Sequence, residues 1–205
     1  MILHDPKEIE KRSFEIIASE LPVSIPAENE LVVKRVIHAT ADFDFAENLC
    51  FSEHAVEKAL AALRCGCDSV TDTQMARSGI NKKILAALGG EAHCFMSDED
   101  VAAEAVRRGT TRAEVSMEKA AKLDKPCIFA IGNAPTALLA IYDLVVAGKL
   151  SPALVIGVPV GFVNIIEAKE KIMTLDIPYI VARGRKGGSG VAAAVCNALL
   201  YQIKR

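Results

Sequence analysis

From residue 69 onward, short apolar runs alternate with longer helical stretches, and this alternation constrains the fold more than any other feature of the chain. The runs fall at 69–71, 92–96, 127–132, 153–158 and 179–182, each too short for an ordinary helix. Helix start signals lie between them. Ser97 precedes Asp98-Glu99-Asp100, Thr111 stands three before Glu114, and Pro135 opens a stretch that closes at Gly148. Strands alternating with helices build a mostly parallel sheet covered on both faces. Such packing needs small, branched side chains, and the composition supplies them: 51% of the residues are apolar, with no tryptophan.

The first 66 residues read as helices. Asp5-Pro6-Lys7-Glu8 is an N-terminal cap, followed by an apolar stripe of Ile9, Ile16 and Ile17 with Ser13 on the same side. A second helix starts near Pro26 and runs through Thr40. A third follows Ser52 and stops at Gly66, its stripe formed by Val56, Ala59, Leu60 and Leu63. The expected architecture is therefore α/β: a doubly wound, mostly parallel sheet with flanking helices and a helical N-terminal section. With 205 residues and no linker composition, residues 1–205 are expected to form a single domain.

Bulk properties narrow the function. The net charge of −2 argues against a nucleic-acid partner, which would usually need a basic balance and a clustered basic face. No apolar run is long enough to cross a membrane. The N-terminus lacks the order of a signal peptide, so a cytoplasmic location is expected. None of the six cysteines forms CxxC or zinc-finger spacing, and Cys65-Gly66-Cys67 reads as two reduced thiols at a helix-to-strand turn. No metal site and no cofactor are expected.

Ligands of open α/β sheets bind beyond the carboxyl ends of the strands. Three glycine-bearing loops fall there: 132–136 (GNAPT), 157–162 (GVPVGF) and 183–190 (RGRKGGSG). Glycine lets backbone approach a ligand, and a helix N-terminus favours anions. Two arginines and a lysine in the last loop strengthen the case for an anionic ligand. That loop has neither GxGxxG spacing nor a GK[ST] ending, so a nucleotide-dependent enzyme stands only as an alternative.

One of the four histidines lies in RVIHATADFDF, residues 35–45. On a helical wheel Val32, Val33, Val36 and Ile37 share the core side, while His38, Arg35 and Lys34 share the other side with Leu31. His38 thus reads as a solvated residue, a metal ligand or an acid–base group in the wall of an anion site. The metal reading is weak, because no second histidine or cysteine stands at i+4 and two cations are neighbours. Histidine suits acid–base work because its ordinary pKa is ~6.5. Asp42 and Asp44 could orient it, Asp42 only if the helix continues another turn. His4 lies near the terminus, His54 in a first helical turn, and His93 opens a strand.

Five motifs together resemble the precorrin-8X (cobalt-precorrin-8) methylmutase family: EKRSF at 10–14, RVIHATADFDF, AIGNAPTAL at 130–138, GVPVGFV at 157–163 and RGRKGGS at 183–189. The resemblance covers about residues 5–200. It implies an isomerase of cobalamin biosynthesis that moves a methyl group from C-11 to C-12 of the macrocycle without a cofactor or methyl donor. It places the family's proton donor and acceptor on His38 and its substrate contacts on Ser13 and Arg35. It also implies a homodimer with sites near the subunit interface and a corrinoid as substrate and product. Asn133 and Arg183 are added here as candidate substrate-lining residues, Arg183 as a fork for a substrate carboxylate. Any cobalt would arrive inside the substrate, and the cysteine-rich composition tilts the expectation toward the cobalt form. A non-catalytic corrinoid carrier is the remaining alternative.

Overall fold

The computed structural model describes residues 4–204. Its strands are β1 (Leu49–Phe51), β2 (Asp68–Thr71), β3 (Ala92–His93), β4 (Cys127–Ile131), β5 (Leu154–Gly157) and β6 (Tyr179–Ala182). They form one six-stranded sheet in the order β1-β6-β5-β4-β2-β3. Every neighbouring pair is parallel except β1 against β6. Four helices precede β2: α1 (Pro6–Glu20), α2 (Ala27–Thr40), the short α3 (Phe45–Asn48) and α4 (Ala55–Arg64). Next come α5 (Gln74–Gly79), α6 (Lys82–Ala87), α7 (Glu99–Arg108) and α8 (Arg112–Ala120). The last three are α9 (Pro135–Val146), α10 (Ile165–Met173) and α11 (Ser189–Ile203).

The sheet is buried on both faces, and its strands show why. In β4, Ile128 and Ala130 enter one core while Phe129 and Ile131 enter the other. In β5, Leu154 and Ile156 oppose Val155, and in β6, Ile180 and Ala182 oppose Val181. Side chains alternate across a strand, so a continuous apolar run fits only a sheet with helices on each side. α2, α4 and α11 cover the first face; α8, α9 and α10 cover the second. α2 docks through Val32, Val33, Val36 and Ile37, all at most 1% exposed. Burial of such side chains contributes roughly 1.5–3 kcal/mol apiece.

Some expectations change. β1 was not anticipated: three residues pairing antiparallel at a sheet edge leave almost no pattern to read. The run at 92–96 yields only a two-residue strand, and the Thr71 hydroxyl donates to the His93 carbonyl at its end. The stripe of α1 is mostly uncovered: Ile17 is buried, but Ile9 and Ile16 are 43% and 40% exposed. Among the sheet and helices, α1 packs chiefly on α2, so it forms an outer layer.

The chain reverses its progress across the sheet between β2 and β4. In doubly wound sheets this is where a crevice opens. Here the crevice is stitched by one carboxylate. Asp72, 1% exposed just beyond β2, accepts from the backbone N–H groups of Gly132 (2.9 Å), Asn133 (2.8 Å) and Ala134 (2.6 Å). Burial pushes its pKa above the ordinary carboxylate value, against the pull of those N–H groups. Next to it the Thr73 hydroxyl meets the Ser189 hydroxyl at 2.8 Å, joining β2 to the start of α11. Gly132 permits this approach, because a Cβ there would lie 2.7 Å from the Ser189 Cα.

Asp72→Ala leaves three N–H groups without their acceptor. It is expected to lower stability by about 3 kcal/mol or more in urea unfolding. A loss below ~1 kcal/mol would show that the β4–α9 loop holds its shape without the carboxylate.

Candidate functional site

α1 and α2 lie side by side, and their facing residues build a polar wall on an apolar foundation. Below it, the buried stripe of α2 fixes the helix against α11. Above it, Arg35 extends towards α1 and forms an ion pair with Glu10, Nη1 to Oε1 at 2.7 Å. Its guanidinium carbon lies 4.8 Å from the centre of the Phe14 ring and 5.2 Å from that of Tyr201 on α11. A guanidinium over aromatic faces is held by charge as well as contact. His38, exposed one turn after Arg35, stacks on Phe14 with ring centres 5.4 Å apart and planes at 29°. Ser13 is half-buried beside Phe14, and its hydroxyl donates to the Ile9 carbonyl at 2.8 Å. The structure therefore gathers Arg35 and His38 on Phe14, while Ser13, the neighbour of Phe14 in sequence, uses its hydroxyl proton within α1.

A groove of about 870 Å³ opens between α1, α2 and the C-terminal half of α11. Phe14, Leu31 and Tyr201 give it apolar surface, and Lys7, Lys11, Lys34 and Arg35 outnumber Glu10 and Glu15 along it. It suits a large apolar ligand that carries acidic groups. Along α2, His38 follows Arg35 by ~4.5 Å of helix rise and stands between this groove and the carboxyl rim of the sheet.

At the rim, Asp42 and Asp44 do not orient His38. α2 ends at Thr40, and Ala41 turns left-handed with φ 54°, so Asp42 leaves the helix. Both carboxylates instead take the Lys186 ammonium, at 2.7 Å and 2.5 Å. That hydrogen bond holds the Asp42 carboxyl below its ordinary pKa. Asn133 and Arg183 lie on separate rim loops after β4 and β6, with β5 between them. Asn133 is exposed and tied by its backbone to Asp72. Arg183 is exposed and paired with Glu170 of α10 at 3.1 Å. Neither joins the cluster around Phe14.

The glycines of the 183–190 loop serve close packing. The Gly188 N–H donates to the Val158 carbonyl at 2.8 Å, and a Cβ on Gly187 would sit 2.0 Å from the same oxygen. An N–H so engaged is not free for phosphate, which counts against the nucleotide alternative. Among the described residues no three histidine, cysteine or acidic side chains converge as a metal site, and no helix is long and apolar enough to cross a membrane. Cys65 and Cys67 flank a turn between α4 and β2, with Cys67 buried and its thiol pushed up to about 12 by that burial. His93 is a half-buried strand residue bonded to Asp68 at 3.1 Å, while His54 stands exposed between Glu53 and Glu57.

Sequence reading missed Phe14, Glu10, Tyr201, Asp72 and Lys169. Phe14 and Tyr201 gave no signal, because an aromatic on a helix reads as core. Asp72 was a lone acid closing an apolar strand. Lys169 carried the clearest sign: it shares the buried stripe of Ile165, Ala168 and Ile172 at i, i+3, i+4, i+7 spacing.

The family model for precorrin-8X methylmutase matches residues 8–202. A cobalt-precorrin-8 methylmutase of Priestia megaterium is 46% identical over 195 residues, covering 95% of this chain and 87% of the relative. One from Salmonella typhimurium is 44% identical, covering 98% of each. The crystal structure of precorrin-8x methyl mutase from Thermus thermophilus superposes with a TM-score of 0.88 at 40% identity, covering 95% of both chains. With one fold, a matching family model and nearly complete coverage, this chain belongs to the precorrin-8X methylmutase family.

Proposed function

We propose that this isomerase moves a methyl group from C-11 to C-12 of a precorrin-8 macrocycle, with His38 as proton donor and acceptor. The observation that carries the reading is the exposed imidazole stacked on Phe14 beside a cation-rich, partly apolar groove. The migration is intramolecular: one carbon–carbon bond breaks at C-11 as another forms at C-12. It needs no nucleophile, redox partner or methyl donor. It needs the protonation state of the ring to be set, and an imidazole can take and return a proton near neutral pH.

The substrate's acetate and propionate groups match the cations of the wall. Arg35 is already oriented by Glu10, Phe14 and Tyr201, so it can offer its remaining donors to a carboxylate at little cost in ordering. Ser13 donates its one hydroxyl proton to Ile9, so its oxygen would accept from a ring N–H of the macrocycle rather than bind a carboxylate. A macrocycle laid across His38 would reach from the groove to the rim, where Asn133 and Arg183 stand. The exposed Leu31 in the groove favours a homodimer that covers this wall and closes the site. A cytoplasmic location fits the free thiols.

His38→Ala is expected to keep its unfolding temperature and bind the product corrin within about threefold, while turnover falls by 10²-fold or more. Undiminished turnover would remove His38 from the mechanism, and tight binding without turnover in the unmodified protein would favour the corrinoid carrier. Arg35→Ala is expected to weaken corrin affinity by about tenfold in an absorbance titration, since a charged hydrogen bond is worth ~1.5–3 kcal/mol. Unchanged affinity would exclude a carboxylate contact. We further expect the cobalt-bearing substrate to turn over faster than the metal-free one in parallel assays, a reading supported by the names of the two relatives. Preference for the metal-free macrocycle would reverse it.

A further inference from the structure

Lys169 lies on the core stripe of α10 and has no exposed surface. Taking an ammonium out of water is expensive unless hydrogen bonds replace its hydration. Here the replacements come from a single loop. Nζ donates to the carbonyl of Gly184 at 2.8 Å and to that of Lys186 at 2.9 Å. Burial alone holds its pKa down to about 8. The same loop is held from its other sides by backbone. Gly161 N–H donates to the Arg185 carbonyl at 3.2 Å, and Gly188 N–H donates to that of Val158. Its side chains point outward: Arg185 lies 5.5 Å from the centre of the Phe162 ring, and Lys186 reaches Asp42 and Asp44 just past the helix that carries His38. The loop then enters α11 at Gly188, an N-cap without a side-chain hydrogen bond.

We infer that Lys169 is a positioning residue for substrate binding: its buried side chain fixes the 183–189 loop so that Arg185 and the first amides of α11 are held ready at the rim for substrate carboxylates, with Lys186 kept against Asp42 and Asp44. The inference rests on the methylmutase reading for the identity of the ligand. An apolar residue of similar length would satisfy the core but release both carbonyls. Releasing two carbonyls costs stability, but amide exchange reports the order of 183–189 directly, so loop order and global stability are read separately.

The test is Lys169→Met in the full chain, with three readouts: thermal unfolding, amide hydrogen exchange across 183–189, and kcat and KM on the substrate that the unmodified enzyme turns over. Expected results are a lowered unfolding temperature, at least tenfold faster exchange in the loop, and a KM raised about tenfold with kcat within threefold. If Lys169→Met does not fold, Lys169→Gln, which keeps two N–H donors on a shorter side chain, is measured the same way and should show smaller changes in the same direction. Unchanged loop exchange or unchanged KM in the folded variant overturns the inference. So does a lowered unfolding temperature with normal exchange and KM, which would make Lys169 a residue of the fold alone. The exchange result stands apart from catalysis, so failure of the methylmutase reading, seen as an inactive parent, is distinguishable from failure of this one.

Discussion

The carboxylate of Asp72 is the interaction on which the carboxyl rim of this molecule depends. It sits where the chain reverses across the sheet, and a reversal normally leaves an open crevice. Three backbone N–H groups of the β4–α9 loop converge on it. That convergence sets the path of Gly132 and Asn133 and brings the first residue of α11 onto Gly132. α11 in turn supplies the surface against which α2 packs, and α2 carries Arg35 and His38. The chain of dependence runs from one buried acid, through a glycine contact and a central helix, to the outward wall.

Lys169 answers Asp72 with the opposite charge at another rim loop. Neither ion is paired with a charged partner in its principal contacts; each is satisfied by main-chain groups. The acid gathers N–H groups and the ammonium gathers carbonyls. A side chain that binds backbone dictates loop shape directly, whereas an ion pair between two side chains leaves the loop free to move beneath it. The cost is desolvation, visible in the upward pKa of Asp72 and the downward pKa of Lys169. At both positions main-chain hydrogen bonds offset that cost.

Much of this was legible in the sequence where periodicity speaks. The runs of β4, β5 and β6 stood out because both strand faces are buried, and the stripe of Val32, Val33, Val36 and Ile37 placed Arg35 and His38 on the opposite face. Legibility failed where tertiary contact decides. β1 exists only because β6 offers an edge. Asp42 is turned away from His38 by a left-handed alanine, a cap that glycine or asparagine would have announced. Phe14 is joined to His38 and Arg35 by stacking across two helices, which no spacing within one helix can encode. Lys169 was written into its own stripe, but its partners lie fifteen and seventeen residues away.

The proposed chemistry explains why so few polar groups gather around His38. A methyl shift within one molecule develops no tetrahedral oxyanion and expels no leaving group, so it needs neither an anion hole nor a nucleophile with its activating base. What remains is to hold a large ring in place and set its proton count. An imidazole stacked on an aromatic ring has its plane restrained while its nitrogens stay open, and that suits exchange with a flat macrocycle. The groove beside it is open, with Leu31 half exposed, where a catalytic surface would ordinarily be shielded from water. On the proposed reading, an open histidine beside uncovered apolar surface would be half of an enclosure. The macrocycle and a second copy of the chain are the two bodies whose surfaces would complete it.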